Sequence, residues 1–136
     1  MKSIAVYCSS SNKVDDIYKE EAEKVGNLIA QMGIKLIYGG GNMGLMGILS
    51  NSAINSGGEV YGVITNHLIE IEKRNESLNN IKIVKTMHER KIEMYNNADA
   101  FLIFRDQIHC PLQHHNNNRL EGEVHHLPIL AASHQD

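Results

Sequence analysis

Apolar positions along this chain switch between two periods, and the switching lays out the elements. Ser3-Ile4-Ala5-Val6-Tyr7-Cys8 is a continuous apolar run of strand length, the pattern of a strand covered on both faces. From about Asp15 to Met32 the spacing becomes helical, with Tyr18, Ala22, Val25, Ile29 and Met32 on one face and Gly33 as C-terminal cap. Lys35-Leu36-Ile37-Tyr38 reads as a second strand, and Leu45, Ile48, Leu49, Ala53 and Ile54 as a second amphipathic helix stopped by Gly57-Gly58. Val60 to Ile64 and Ile81 to Val84 are two further strands, separated by a polar stretch, Asn66 to Asn80, expected to be a loop with a short helix. Thr86-Met87-His88-Glu89 reads as a capping box, in which hydroxyl and carboxylate each satisfy a free N–H. Helix Met87 to Asn97 and a fifth strand, Ala100 to Phe104, follow.

Strands alternating with helices at crossover spacing place the chain in the α/β class, with a parallel sheet, flanking helices and right-handed connections. Ligands of such sheets sit outside the carboxyl ends of the strands. The loops at Ser9, Gly39 and Thr65 and whatever follows Phe104 are therefore expected on one rim, and the first turn of helix Met87–Asn97 brings Arg90 and Lys91 to it. The pattern stops at Phe104. Residues 105–136 show no sustained period, and Ile129-Leu130-Ala131-Ala132 is too short to assign. The expected organisation is one domain over residues 1–104, incomplete at its C-terminus, followed by an irregular His/Asn-rich tail.

Composition narrows this picture little. A chain of 136 residues suits one domain, and a formal charge of −3 argues against a general nucleic-acid binder. No apolar run is long enough for a bilayer, and the N-terminus opens into a strand with no signal-like segment. Cys8 and Cys110 are far apart and form no disulfide framework. The expectation is a cytoplasmic protein without membrane or nucleic-acid partners. In the tail, Cys110, His109, His114, His115, His125 and His126 invite a metal hypothesis. Adjacent histidines diverge, however, unlike the i, i+4 pairs that suit zinc, so no metal site is expected.

The stretch Leu36 to Gly47 carries the candidate chemistry, because Gly39-Gly40-Gly41 lies between an apolar strand and a helix. A strand feeding a glycine loop that opens a helix aims bare N–H groups and a positive dipole end at one point, a geometry suited to phosphate. A tight turn with no ligand explains a lone glycine cluster equally well. Ser9-Ser10-Ser11-Asn12 offers hydroxyls to a ligand, although a turn alone explains it.

In combination and in this order, several motifs resemble the LOG family, the cytokinin riboside 5′-monophosphate phosphoribohydrolases long mislabelled as lysine decarboxylases. They are Cys8-Ser9-Ser10-Ser11, Tyr38-Gly39-Gly40-Gly41-Asn42-Met43-Gly44-Leu45-Met46-Gly47, Gly57-Gly58, Gly62-Val63-Ile64, and Met87-His88-Glu89-Arg90-Lys91 with Ala98-Asp99-Ala100-Phe101. The resemblance covers Ser3 to Phe104. It implies a Rossmann-like fold and a homodimer that hydrolyses the N-glycosidic bond of AMP or an N6-substituted AMP. The products are the free base and ribose 5-phosphate, and no cofactor is expected. It also implies that Arg90 is catalytic, and that Ser9, Ser10, Gly39, Gly40, Gly41, Gly44, Glu72 and Lys91 contact substrate. Read without the family, Arg90 is a solvated helix charge, Lys91 a partner of Glu93 or of nothing, and Glu72 ordinary loop polarity.

The departure follows the fifth strand. There the family carries a proline-glycine-glycine, glycine-threonine and glutamate motif, whereas this chain reads Arg105-Asp106-Gln107-Ile108-His109-Cys110-Pro111-Leu112-Gln113. Glu121 and Glu123 lie too far along to replace that glutamate by position. The abruptness favours a shifted or truncated reading from Phe104 over a cloning scar or true divergence. Turnover is then expected to fall by several orders of magnitude, since one positioned acid/base is typically worth about 10²–10⁴ and the phosphate loop is lost with it. The other class of reading is a non-catalytic nucleotide-binding module. A lysine decarboxylase lacks support, because no Schiff-base context surrounds Lys82, Lys85 or Lys91.

Overall fold

The computed structural model describes residues 2–78, 80–104 and 129–133, the last stretch as backbone only. The elements are β1 (Ser3–Tyr7), α1 (Asp16–Gln31), β2 (Lys35–Tyr38), α2 (Gly44–Asn55), β3 (Val60–Thr65), α3 (Asn66–Leu68), β4 (Asn80–Val84), α4 (Met87–Asn97), β5 (Ala100–Phe104) and β6 (Ile129–Ser133). A π-helical stretch, Ile69–Lys73, continues from α3.

The strands lie in the order β4-β3-β2-β1-β5-β6. The first five are parallel, as the alternation of strands and helices predicts. Period-two alternation divides the core between the two faces of the sheet. Ile4, Val6, Leu36 and Tyr38 face α1 and α2, packing with Ala22, Val25, Ile29, Leu45, Leu49 and Ala53. Ala5, Ile37 and Val63 face α4, packing with Met94 and Ala98. The chain steps outward from β1 to β4, and α4 then carries it back to β5 on the other side of β1. That reversal makes the carboxyl ends of β1 and β5 the topological switch point, where open α/β sheets bind ligands.

Two local expectations need correction. Met32, placed on the buried face of α1, is 62% exposed, because it is the C-cap residue and the helix has already ended. The capping box at Thr86 is half formed. Thr86 Oγ1 accepts from the Glu89 amide at 3.1 Å, whereas the Glu89 carboxylate accepts from the Lys85 amide rather than returning to Thr86. Ile129–Ser133, too short to assign from its pattern, is a strand antiparallel to β5, with Phe104 opposite Ile129 and Ala100 opposite Ser133. The sheet therefore continues into the segment that the sequence pattern sets apart. Among the described residues no helix is long and apolar enough to cross a membrane.

Candidate functional site

Tyr38 ends β2 fully buried, and its hydroxyl donates to the Gly41 carbonyl at 2.9 Å, folding the glycine loop back over the strand end. Gly39 is required by close approach, because a Cβ there would strike the Arg90 guanidinium. Gly44 opens α2 at φ 59°, and a side chain at that position would run into the Ser10–Ser11 backbone. Two first-turn donors are not bare: the Gly44 amide donates to Asn12 Oδ1 at 3.0 Å and the Met46 amide to the Ser9 carbonyl at 3.3 Å. Just before the helix, the Asn42 amide donates to the Lys73 carbonyl at 2.7 Å. The chain's own oxygens thus occupy much of the positive end of α2, which corrects the picture of open N–H groups drawn from the sequence. Ser9 Oγ accepts from the Ser11 amide at 2.9 Å, a local turn of the kind serine favours.

Arg90 stands in the first turn of α4, set there by the Thr86 cap. It is 6% exposed, so the solvated-charge reading fails. Its Nε donates to the Val63 carbonyl at 2.9 Å and its Nη2 to the Gly39 carbonyl at 2.5 Å. Nη2 also lies 3.4 Å from Glu72 Oε1. Burial lowers the Arg90 pKa, and Glu72 opposes that shift by favouring the charged form. A guanidinium has five donors. Among the described residues, those on Nη1 meet only the Met87 sulfur, at 3.8 Å. Glu72 is 9% exposed, and its role here is that of ion-pair partner to Arg90. Lys91 is exposed and does not pair with Glu93, which binds Lys82 at 3.0 Å instead.

A cavity of about 140 Å³ opens at the ends of β1 and β2, lined by residues that include Cys8, Gly39, Met46, Arg90, Lys91 and Met94. A larger apolar groove of about 620 Å³ adjoins it through Tyr7 and Lys91, and runs along Ile92, Tyr95 and Ile103. Of the residues expected at the site, Gly39, Arg90 and Lys91 meet at the smaller cavity, with Glu72 behind the guanidinium. Gly40 and Gly41 instead pack on Ile64 and on Glu72. Ser9 and Ser10 stand against the start of α2, and Gly44 lines a separate polar cavity of about 380 Å³ with Asn12, Lys19 and Asn51. Arg105 to Gln113, the tail histidines, Glu121 and Glu123 lie outside the described residues.

Ser50 and Asn75, both buried beneath the glycine loop, have no counterpart in the sequence reading. Ser50 carried a weak signal, a hydroxyl between Leu49 and Ala53 on an apolar helix. Asn75, in a polar loop, carried none.

A family model described as "Possible lysine decarboxylase" matches residues 46–105. The cytokinin riboside 5′-monophosphate phosphoribohydrolase LOG7 of Arabidopsis thaliana is 42% identical over 101 residues, 74% of this chain and 46% of that protein. LOG1 of the same plant is 43% identical over 103 residues, again 74% of this chain, and 47% of that protein. The chain thus spans less than half the length of these relatives. In three dimensions it resembles the molybdenum cofactor carrier protein of Chlamydomonas reinhardtii, with a TM-score of 0.62 at 18% identity, covering 74% of this chain and 60% of that one. That likeness concerns the Rossmann-type fold alone. Across the roughly three quarters of its length that align, the chain is similar to the LOG-named phosphoribohydrolases.

Proposed function

We propose that the cavity between Gly39 and Arg90 takes a nucleoside 5′-monophosphate, AMP or an N6-substituted AMP, and that the ancestral chemistry is hydrolysis of its N-glycosidic bond. Water adds at C1′ and gives up a proton, the bond to the base nitrogen breaks with its electron pair going to the base, the base takes up a proton, and free base and ribose 5-phosphate leave. The observation that carries this reading is the buried guanidinium of Arg90, fixed by two backbone carbonyls and Glu72, with only a weak sulfur acceptor near Nη1 among the described residues. A donor edge held rigidly in a low-dielectric wall stabilises negative charge that develops on the departing base, and needs no reorganisation as it does so. Relatives that carry the phosphoribohydrolase name at about 40% identity support the same reaction.

Turnover by this chain is slow in our reading. Positive charge grows on the sugar as the bond breaks, and a carboxylate is needed to stabilise it and to activate water. Among the described residues no carboxylate lines the cavity, and Glu72 is committed to Arg90. The same observation favours the second reading, a nucleotide-binding module without catalysis. A homodimer belongs to the proposal by family and is tested by sedimentation.

The deciding experiment measures AMP binding by calorimetry alongside release of adenine, for the chain and for Arg90→Met. Binding with release slowed by about 10²–10⁴ against a full-length relative is the expected result, as for loss of one acid/base. Binding with no release at all selects the module. Release at an ordinary enzymatic rate overturns the impairment, and failure to bind, or binding that Arg90→Met leaves unchanged, overturns the site.

A further inference from the structure

We infer that Asn75 is a positioning residue for this site, pinning the 66–78 loop to α2 and so setting the glycine loop and Glu72 against which Arg90 is aimed. The inference rests on the nucleotide-site reading above. Asn75 is 2% exposed, in a loop made largely of polar and charged residues. Its Nδ2 donates to Ser50 Oγ at 2.9 Å and to Asn51 Oδ1 at 3.1 Å, both on α2. Its Oδ1 accepts from the Ser77 amide at 3.0 Å, and its own amide donates to the Gly40 carbonyl at 3.0 Å. Every strong donor of the residue is engaged, as a buried amide requires.

These bonds matter because the middle of the loop has little apolar packing: Ile71 is 55% exposed, Glu72 and Asn75 are the loop's buried polar residues, and Leu78 reaches the core only at the loop's end. The Asn75–Gly40 bond, the Asn42–Lys73 bond and the antiparallel bridge between Gly41 and Arg74 lay residues 72–75 along the glycine loop. Lys73, a non-glycine residue at φ 53°, is held in the left-handed region within that clasp. The chain of contact then runs from Asn75 to Gly40, along the loop to the Gly39 carbonyl, and so to Arg90 Nη2. Through the same clasp Glu72 is brought within 3.4 Å of that nitrogen. Asn75 lies beneath the loop and does not line the cavity, so it acts through other residues.

The test uses the full chain with Asn75→Leu and Ser50→Ala, the latter placing a good helix former in α2. Two quantities are read: AMP affinity by calorimetry, and the Arg90 Nε–H resonance, with α1 amides as a remote control. Asn75→Leu should weaken AMP by about tenfold, about 1.4 kcal/mol, and should shift or broaden the Arg90 resonance while α1 stays unchanged. Ser50→Ala should move both in the same direction by about threefold, since it removes one of several bonds. If both quantities are unchanged in folded variants, Asn75 only staples its loop and the inference is wrong. If Asn75→Leu fails to fold, Ser50→Ala decides alone. Should the wild-type chain bind no AMP, the nucleotide reading falls, while the resonance still reports whether Asn75 aims Arg90.

Discussion

One face of the sheet carries α1 and α2 and the other carries α4, and the two layers hold what they cover differently. On the first face Leu36, Tyr38, Leu45 and Leu49 are wholly buried, and Ser52 Oγ ties α2 to the Glu23 carbonyl of α1 at 2.6 Å. On the second, Met94 borders the smaller cavity, while Ile92 and Tyr95 are 44% and 52% exposed along the groove. The candidate site forms where the layers meet. The glycine loop is continuous with the close-packed layer, and Arg90 comes from the thin one. Two backbone carbonyls, of Gly39 and Val63, hold Arg90 where packing alone is sparse. A side chain carried by a lightly packed helix is thereby made as fixed as the loop it faces.

The sharpest way to break this comparison is a matched pair of truncations. Leu49→Ala and Met94→Ala each remove a buried side chain, a change that costs about 2–5 kcal/mol depending on how far the site can collapse around the space left behind. Leu49 is surrounded on all sides and should fall near the top of that range, whereas Met94 already borders empty space and should fall near the bottom. Urea unfolding measures both. Equal losses, or a larger loss for Met94, would mean that the two layers are equally well packed.

Legibility in the sequence follows the same division. The close-packed layer was readable because its residues repeat: Ala22, Val25 and Ile29 on α1 and Leu45, Leu49 and Ala53 on α2 keep helical spacing and are buried as that spacing requires. Arg90 could be placed on the rim by topology, but its burial could not be read. Glu72, Val63 and Gly39 decide it, and they stand 18, 27 and 51 residues away along the chain. Glycine identity misled in one respect. The loop's glycines admit the Arg90 guanidinium, the Glu72 backbone and the Ser10–Ser11 backbone, so internal close approach accounts for residues that a phosphate alone would also explain. Asn75 was invisible because an asparagine in a polar loop has no period, and its burial depends on α2 lying above it.

A second, smaller contrast is alkaline. Tyr38 on the first face and Tyr61 on β3 both have pKa values pushed up to about 12, in each case chiefly by burial. A phenol whose folded value is raised stabilises the fold fully below its unfolded value of about 10 and loses that contribution as pH climbs toward the folded one. Stability should therefore decline between about pH 10 and about pH 12, and Tyr38→Phe and Tyr61→Phe should each flatten that decline to a similar extent. At neutral pH Tyr38→Phe should also cost about 1–3 kcal/mol by orphaning the Gly41 carbonyl. A steeper alkaline loss in Tyr38→Phe than in the wild type would contradict this assignment.

The smallest effect belongs to the pair that helps hold α4 at the far side of the thin layer. Glu93 has its pKa lowered first by the Tyr61 hydroxyl, at 2.8 Å, and then by Lys82, at 3.0 Å. A lowered carboxylate stabilises the fold above its unfolded value of about 4.3 and ceases to do so as pH falls through the folded value. The Lys82 side chain is 51% exposed and that of Glu93 22%, so water and salt screen the pair. Lys82→Met should therefore cost only about 0.2–1 kcal/mol at pH 7. The difference from wild type should shrink both in high salt and as the solution is acidified below the Glu93 transition. A loss of several kcal/mol that salt does not touch would show that this pair, and not the Arg90 anchors, fastens α4 to the sheet.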